Sequence, residues 1–304
     1  MMSAALDFNR EGSAWPHRDK SQFIKAGHLT FHVQIMGDGD PLLLIHGTGA
    51  SSHSWRDVMP LLARNHLVIV PDLPGHAFTK GATRSDLSLQ GMAHALGQLI
   101  NAIGLSPKII VGHSAGAAIA VEMVDRKLVS PEKIVSFNGA FFPVAGPVGH
   151  FFSPLAKLIA SFSFLNGIFA RLVDRAAVER LLDSTGSKLA EKSIACYQTL
   201  FTNESHITGT LSMMAEWSLT SMPEKLSRLS MPLILVKATR DKTVPPETAD
   251  DATKIAPLST IVTLKGLGHL AHEERPDAAA EIISNPTSFT SVSESIPPSA
   301  RRSA

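Results

Sequence analysis

Between a run of β-branched residues and a run of small ones, the chain places Gly112-His113-Ser114-Ala115-Gly116. The preceding Ile109-Ile110-Val111 suits a strand buried on both faces, and the following AAIAVEMV suits a helix packed close against its neighbours. A chain that passes from strand to helix within so few residues needs glycines, because side chains there would crowd the turn. Such a turn forces the central serine to the top of a sheet, beside the free N–H groups and positive dipole end of a helix start. G-x-S-x-G alone is weak evidence, arising by chance in about one chain of this size in ten. The flanking strand and helix make it a sharp elbow presenting Ser114 as a nucleophile, rather than an ordinary glycine-rich loop.

That elbow requires a parallel sheet around it. PLLLIHG, HLVIVPD, KIIVGHS, KIVSFNG, PLILVKA and TIVTLKG each hold an apolar, often β-branched run that ends at Gly, Asp, Asn, His or Ser. Helical patterns at 55–63, 89–103, 115–125 and after Pro245 separate them. This βαβ rhythm predicts an α/β chain with a mostly parallel, doubly wound sheet. The rhythm breaks over residues 141–229, where SPLAKLIASF, IFARLVDRAAVERLLD, KSIACYQTLF and GTLSMMAEW are helix-like and strand signals fade. A helical insertion late in the sheet is expected to form a cap over the strands' C-terminal ends, where ligands bind in such sheets. The core is then 21–140 with 230–283, and the cap 141–229. The first 20 residues look loose, and the Ser/Pro-rich stretch 284–304 has little to bury and is expected to be disordered.

The charge balance, 28 Lys+Arg against 27 Asp+Glu, provides no electrostatic reason to expect a nucleic-acid partner. The single cysteine, Cys196, excludes an internal disulfide and fits a reducing compartment. The first residues lack the apolar stretch of a signal peptide, so a cytoplasmic location is expected. The longest charge-free apolar stretch, 134–156, is broken by Asn138, Pro143, Gly146, Pro147, Gly149 and Pro154. It suits a greasy loop and cap helix better than a transmembrane segment.

A serine hydroxyl needs an adjacent base, and the base an orienting acid. Behind a strand–elbow–helix serine the expected chain order is acid, then histidine. Asp241 follows the run PLILVKA, and His269 follows TIVTLKG within GLGHLAHEERP, both at strand ends on the edge that holds Ser114. His272 is the rival base, but it falls nearer the next helix start. The end of KIVSFNGA is another place for an acid, and Asn138 stands there instead. An oxyanion hole needs two backbone N–H groups aimed at one point. Ala115 supplies one, and Thr48, in the loop His46-Gly47-Thr48-Gly49, is expected to supply the other. The 13 histidines include no H-E-x-x-H and no Cys/His pairs, so no metal is expected. No G-x-G-x-x-G follows a strand, and no cofactor is expected.

Together, HGTGASSHSW, PDLPGHAFT, VGHSAGAA, DKTVPP and GLGHLAHEERP resemble the α/β-hydrolase superfamily from about Phe23 to Ile283. Within it the chain looks most like the magnesium chelatase accessory proteins of bacteriochlorophyll biosynthesis, through HGTGASSHSWRDVMPLLA, GHSAGAAIA, FNGAFFPVAGPVGHFFSPLAKLIA, STGSKL, SMMAEW and GLGHLAHEERP. One departure is Ala77 in PGHAFT, where the superfamily usually has glycine. The likeness implies a role near magnesium insertion into protoporphyrin IX, with magnesium chelatase subunits as partners, and leaves the reaction at Ser114 open.

Two readings follow. In one, Ser114, His269 and Asp241 hydrolyse an ester or similar acyl bond of an apolar small-molecule substrate. In the other, an inherited triad sits in a non-catalytic accessory module that binds a tetrapyrrole or docks on the chelatase. Epoxide hydrolases and haloalkane dehalogenases share the fold but use an aspartate nucleophile; the former also use paired cap tyrosines, and Tyr197 is the only tyrosine here. The cap's Phe141, Phe142, Phe151, Phe152, Phe162, Phe164, Phe169, Met213, Met214 and Trp217 are expected to line the pocket, and apolar walls suit a flat macrocycle or long acyl chain.

Overall fold

The computed structural model describes residues 6–143 and 173–285. Its strands are β1 (Ser21–Ala26), β2 (Leu29–Met36), β3 (Asp40–Ile45), β4 (His66–Pro71), β5 (Ile109–His113), β6 (Lys133–Phe137), β7 (Leu233–Ala238) and β8 (Ser259–Leu264). They form one 8-stranded sheet in the order β1-β2-β4-β3-β5-β6-β7-β8. The apolar runs are β3 to β8, and these pair in parallel. Alternation sends Leu43 and Ile45 into the core on one face and Leu42 and Leu44 into the core on the other. Burial on both faces makes β3 to β7 continuous apolar runs, whereas the edge strand β8 buries only Val262 and Leu264.

β1 and β2 add an antiparallel edge that the apolar runs did not announce. β2 buries His32 and Gln34 among its apolar residues, which breaks the pattern. His32 Nδ1 donates to Asp72 Oδ2 at 2.7 Å, and Gln34 Nε2 donates to the Pro16 carbonyl at 2.6 Å, leaving only Gln34 Oε1 without a partner between these two side chains.

The helices are α1 (Met59–Leu62), α2 (Leu89–Ile103), α3 (Ala115–Asp125), α4 (Arg175–Ser184), α5 (Glu191–Phe201), α6 (Glu204–Glu216), α7 (Met222–Ser227), α8 (Glu247–Ile255), α9 (Ala271–Glu274) and α10 (Pro276–Ser284). The helix expected at 55–63 is instead a 3₁₀ turn, Ser52–Trp55, followed by the short α1 with Pro60 in its first turn. α2 has the expected bounds: the Ser88 hydroxyl accepts from Gly91 N–H at its start, and Gly104 closes it with a φ of 72°.

Among the described residues only helices, α4 to α7, lie between β6 and β7. α7 belongs with the core by its contacts, since Lys225 pairs with Glu122 of α3 in a buried salt bridge and Arg228 reaches Asp125 just beyond. The described part of the N-terminal lead-in is not loose. Leu6 and Trp15 are buried against Phe78 and Leu200, and Arg18 donates to the carbonyls of Phe8 and Gly12. Its few apolar residues are too irregularly spaced for any periodic signal. The expected tail beyond residue 285 lies outside the described residues, as do 144–172 of the cap. No described helix is long and apolar enough to cross a membrane.

β3 is the topological switch point. Its chain successor β4 lies on one side and β5 on the other, so the crevice between the β3 and β5 ends is where such a sheet binds ligands. Ile45 stands opposite Gly112, which brings the loop after β3 beside the elbow after β5.

Candidate active site

The elbow is as tight as its sequence implies. A Cβ on Gly112 would lie 2.4 Å from Ala117 N, and one on Gly116 would lie 2.5 Å from the Ile45 carbonyl oxygen. Only glycine allows strand, helix and the β3 end to approach this closely. Ser114 itself has φ 52° and ψ −118°, a conformation that costs a non-glycine residue about 1–3 kcal/mol. It is held there by Ser114 N–H donating to the Phe137 carbonyl at 3.0 Å, while the Ser114 carbonyl accepts from Ala140 N–H at 3.1 Å.

The structure brings Asp241 and His269 together. His269 Nδ1 donates to Asp241 Oδ2 at 2.7 Å, and both side chains are buried. The other carboxylate oxygen, Oδ1, accepts from Thr243 N–H at 2.7 Å and Val244 N–H at 2.9 Å, so the turn beyond β7 aims the acid. With Nδ1 carrying the proton, His269 Nε2 is left with the free lone pair that a general base requires. The His269 loop is tied to the elbow as well: its carbonyl accepts from His113 Nε2 at 2.9 Å, and the two rings lie 4.7 Å apart.

His272 sits in surroundings that do not suit a general base. It is fully buried, its ring centroid is 4.3 Å from Trp55 and 4.4 Å from His113, and its Nε2 bonds Ser54 Oγ at 2.8 Å. Burial pushes its pKa down to about 3. Its neighbour Glu273 belongs to a further buried network, accepting from Arg56 Nη1, from Ser54 Oγ and from the Tyr197 hydroxyl, which it binds at 2.7 Å. The one tyrosine is thus committed to Glu273.

At the strand end where a second acid could stand, Asn138 forms a clamp. At the end of β6, with φ 47°, its Nδ2 donates to the His269 carbonyl at 2.8 Å and the Gly268 carbonyl at 3.2 Å, and its Oδ1 accepts from Ala238 N–H at 2.9 Å. One buried amide therefore spans the acid strand and the histidine loop. Nothing local in KIVSFNG announces this, apart from the placement of a polar residue at a buried strand end.

The described cap reaches both halves of the site. The turn after α4, within STGSKL, docks between the acid and histidine loops, where the Thr185 carbonyl accepts from Lys242 N–H at 3.1 Å and from His269 N–H at 3.2 Å. Ser187 Oγ accepts from Leu270 N–H at 2.8 Å. On the opposite side α6 covers the loop after β3, and Thr48 Oγ1 approaches Met213 Sδ at 3.5 Å. Phe141 and Met213 are buried in the main core, and Phe142 and Trp217 are half-buried against it; Phe151, Phe152, Phe162, Phe164 and Phe169 lie outside the described residues. A separate cavity of about 490 Å³, lined by Trp15, Arg56, Lys192 and Cys196 among others, contains none of Ser114, Asp241 and His269.

Six of the histidines gather in two groups. His113, His269 and His272 pack with tilted rings behind the elbow, and His46, His76 and His206 meet beneath the loop after β3, with ring centroids 5.3 and 5.4 Å apart. In the second group the ring nitrogens bond backbone N–H and carbonyl groups. Among the described residues no group of three or more His, Cys, Asp or Glu side chains is arranged to hold a metal ion.

Residues 42–282 match the model of the Alpha/beta hydrolase family. The chain is 34% identical over 273 residues to the magnesium-chelatase 30 kDa subunit of Rhodobacter capsulatus, covering 88% of this chain and 95% of that protein. It is 28% identical over 267 residues to the 2-hydroxy-6-oxo-6-(2'-aminophenyl)hexa-2,4-dienoic acid hydrolase of Metapseudomonas resinovorans, covering 84% and 87% of the two chains. The crystal structure of a putative lipase from Acinetobacter baumannii superposes with a TM-score of 0.73 at 21% identity, over 92% of this chain and 95% of that one.

Proposed function

The chain belongs to the α/β-hydrolase family, and from that premise we propose that it is a serine hydrolase cleaving an ester or similar acyl bond of an apolar substrate. The observation that carries this reading is the His269–Asp241 hydrogen bond of 2.7 Å on the same sheet edge as a strained serine elbow. Ser114 Oγ attacks the acyl carbon while His269 Nε2 takes its proton, and Asp241 holds the imidazole in the required tautomer and stabilises the imidazolium. The N–H groups of Ala115 and Thr48 receive the negative charge on the carbonyl oxygen. Collapse of the tetrahedral intermediate returns the proton from His269 to the departing alcohol, leaving an acyl-Ser114 that water cleaves by the same steps.

Kinship with the magnesium-chelatase 30 kDa subunit supports a place for this activity beside magnesium chelatase, with its subunits as partners and a tetrapyrrole as ligand. The same kinship favours a second reading, a porphyrin-binding accessory module without catalysis. A fluorophosphonate probe separates the two. Activated Ser114 is expected to be labelled, with the adduct located by mass spectrometry and lost in Ser114→Ala. A folded protein that leaves Ser114 unlabelled, yet binds protoporphyrin IX saturably at micromolar concentration, would sink the hydrolase reading and leave the module.

A further inference from the structure

Thr48 sits in a turn whose three successive peptide planes are each held by a different histidine. The Gly47 carbonyl accepts from His46 Nδ1 at 2.7 Å and from Ala50 N–H at 3.2 Å. Gly49 N–H donates to His76 Nε2 at 3.2 Å, and the Gly49 carbonyl accepts from His206 Nε2 at 3.1 Å. A trans peptide is planar, so its N–H points opposite to its C=O. Holding the Gly47 carbonyl therefore aims Thr48 N–H, the second oxyanion donor, and the next two planes keep the turn from swivelling. Gly49 supplies the φ of 76° that the turn needs.

The other nitrogen of each ring assigns its tautomer. His46 Nε2 accepts from Leu73 N–H, His206 Nδ1 accepts from Ala77 N–H, and His76 Nδ1 donates to the Pro74 carbonyl. Each ring thus faces one backbone donor and one backbone acceptor, and only the neutral imidazole satisfies both. His206 is packed near His46, His53, His76 and Asp72, and burial lowers its pKa to about 4.

His46 and His76 come from core loops, whereas His206 comes from the cap. It begins a face of α6, His206-Gly209-Thr210-Met213, at the spacing of one helix side. That face lies directly on the core loops. A Cβ on Gly209 would sit 1.9 Å from the Gly75 carbonyl oxygen, and one on Gly49 would sit 3.5 Å from Thr210 Cγ2.

We propose that His206 is a positioning residue for hydrolysis at Ser114, transmitting the seating of cap helix α6 to the orientation of the Thr48 amide. The oxyanion site is complete only while the cap is seated, so a substrate that fits under the cap also completes the catalytic geometry. This rests on the serine-hydrolase reading, because an oxyanion site matters only to acyl transfer.

The test uses the full chain, p-nitrophenyl esters, fluorophosphonate labelling, and His206→Ala, His206→Gln and His206→Asn. In folded His206→Ala, kcat is expected to fall about 10- to 100-fold with KM changed less than about two-fold, as for a misaimed oxyanion donor. His206→Gln places an N–H donor near the Nε2 position and should recover most of kcat. His206→Asn retains only the acceptor for Ala77 N–H and should not. Undiminished kcat in His206→Ala, or equal rescue by Asn and Gln, would overturn the proposal. Should His206→Ala fail to fold, the Gln and Asn pair decides, together with imidazole ¹⁵N spectra of the native chain. Those spectra should show His206 protonated at Nε2 alone; protonation at Nδ1 would overturn the assignment. Failure of Ser114 to label in the native chain defeats the hydrolase reading and this role with it. Labelling of Ser114 with unaffected His206 variants defeats the role of His206 alone.

Discussion

Asn138→Asp changes one atom in the clamp behind His269 and should cost far more than its size suggests. The side chain is 6% exposed, so solvent cannot repair what is lost. The oxygen accepting from Ala238 N–H remains, but the group replacing Nδ2 now faces the carbonyl oxygens of His269 and Gly268 at 2.8 and 3.2 Å. The His269 carbonyl keeps His113 Nε2 as a donor, which softens the loss on that side. Two lost hydrogen bonds, with an anion set against two carbonyl dipoles, amount to about 2–4 kcal/mol at pH 7.5. The same contacts oppose ionisation, so the folded variant holds its proton above the unfolded pKa of about 3.9. A carboxyl that binds its proton more tightly when folded loses stability as pH rises. The penalty against the parent should therefore be smaller by about 1 kcal/mol at pH 5.5 than at pH 7.5. Urea unfolding of both proteins at the two pH values measures this. Equal stability at pH 7.5, or a penalty that grows on acidification, would refute the clamp. The contacts also run to the loop backbone and not to the imidazole ring, so Asn138→Asp should not rescue Asp241→Asn.

His46, His53, His76, His113, His206 and His272 are all buried with pKa values lowered by desolvation. A base whose folded pKa is depressed contributes stability above its unfolded pKa of about 6.5 and loses it below, at up to about 1.4 kcal/mol per histidine per pH unit. The urea midpoint should therefore be flat above pH 7.5 and fall steeply from pH 6.5 to 5; a flat midpoint across that range would show these rings are not held neutral. His269→Ala should abolish Ser114 labelling. His272→Ala should leave labelling largely intact while costing about 2–3 kcal/mol for the cavity beside Trp55, and the reverse pattern would mean the wrong histidine was assigned.

The elbow, the six parallel strands and the chain order of serine, acid and histidine were legible because each rests on a local pattern. A strand buried on both faces must be a continuous apolar run, and a strand-to-helix turn this tight must carry glycine at Gly112 and Gly116. β1 and β2 were not legible, since His32 and Gln34 interrupt the apolar pattern and are acceptable only because Asp72 and Pro16, far along or across the chain, receive their hydrogen bonds. The lead-in from Leu6 escaped for the same reason: Trp15 has no periodic partner nearby in sequence, and its neighbours Phe78 and His53 meet it only in space.

By itself, then, the sequence determined the six parallel strands and that Ser114, Asp241 and His269 end on one edge of their sheet. Tertiary structure decided which histidine faces the acid, since His269 and His272 are three residues apart and only packing against Trp55 and His113 removes one of them. It also decided that Asn138 ties two loops together and that His206 of the cap holds the turn around Thr48. These roles depend on hydrogen bonds of about 3 Å between residues 131 and 157 positions apart in the chain. A side chain's type records that it can make such a bond, and only the folded backbone brings the partner within reach.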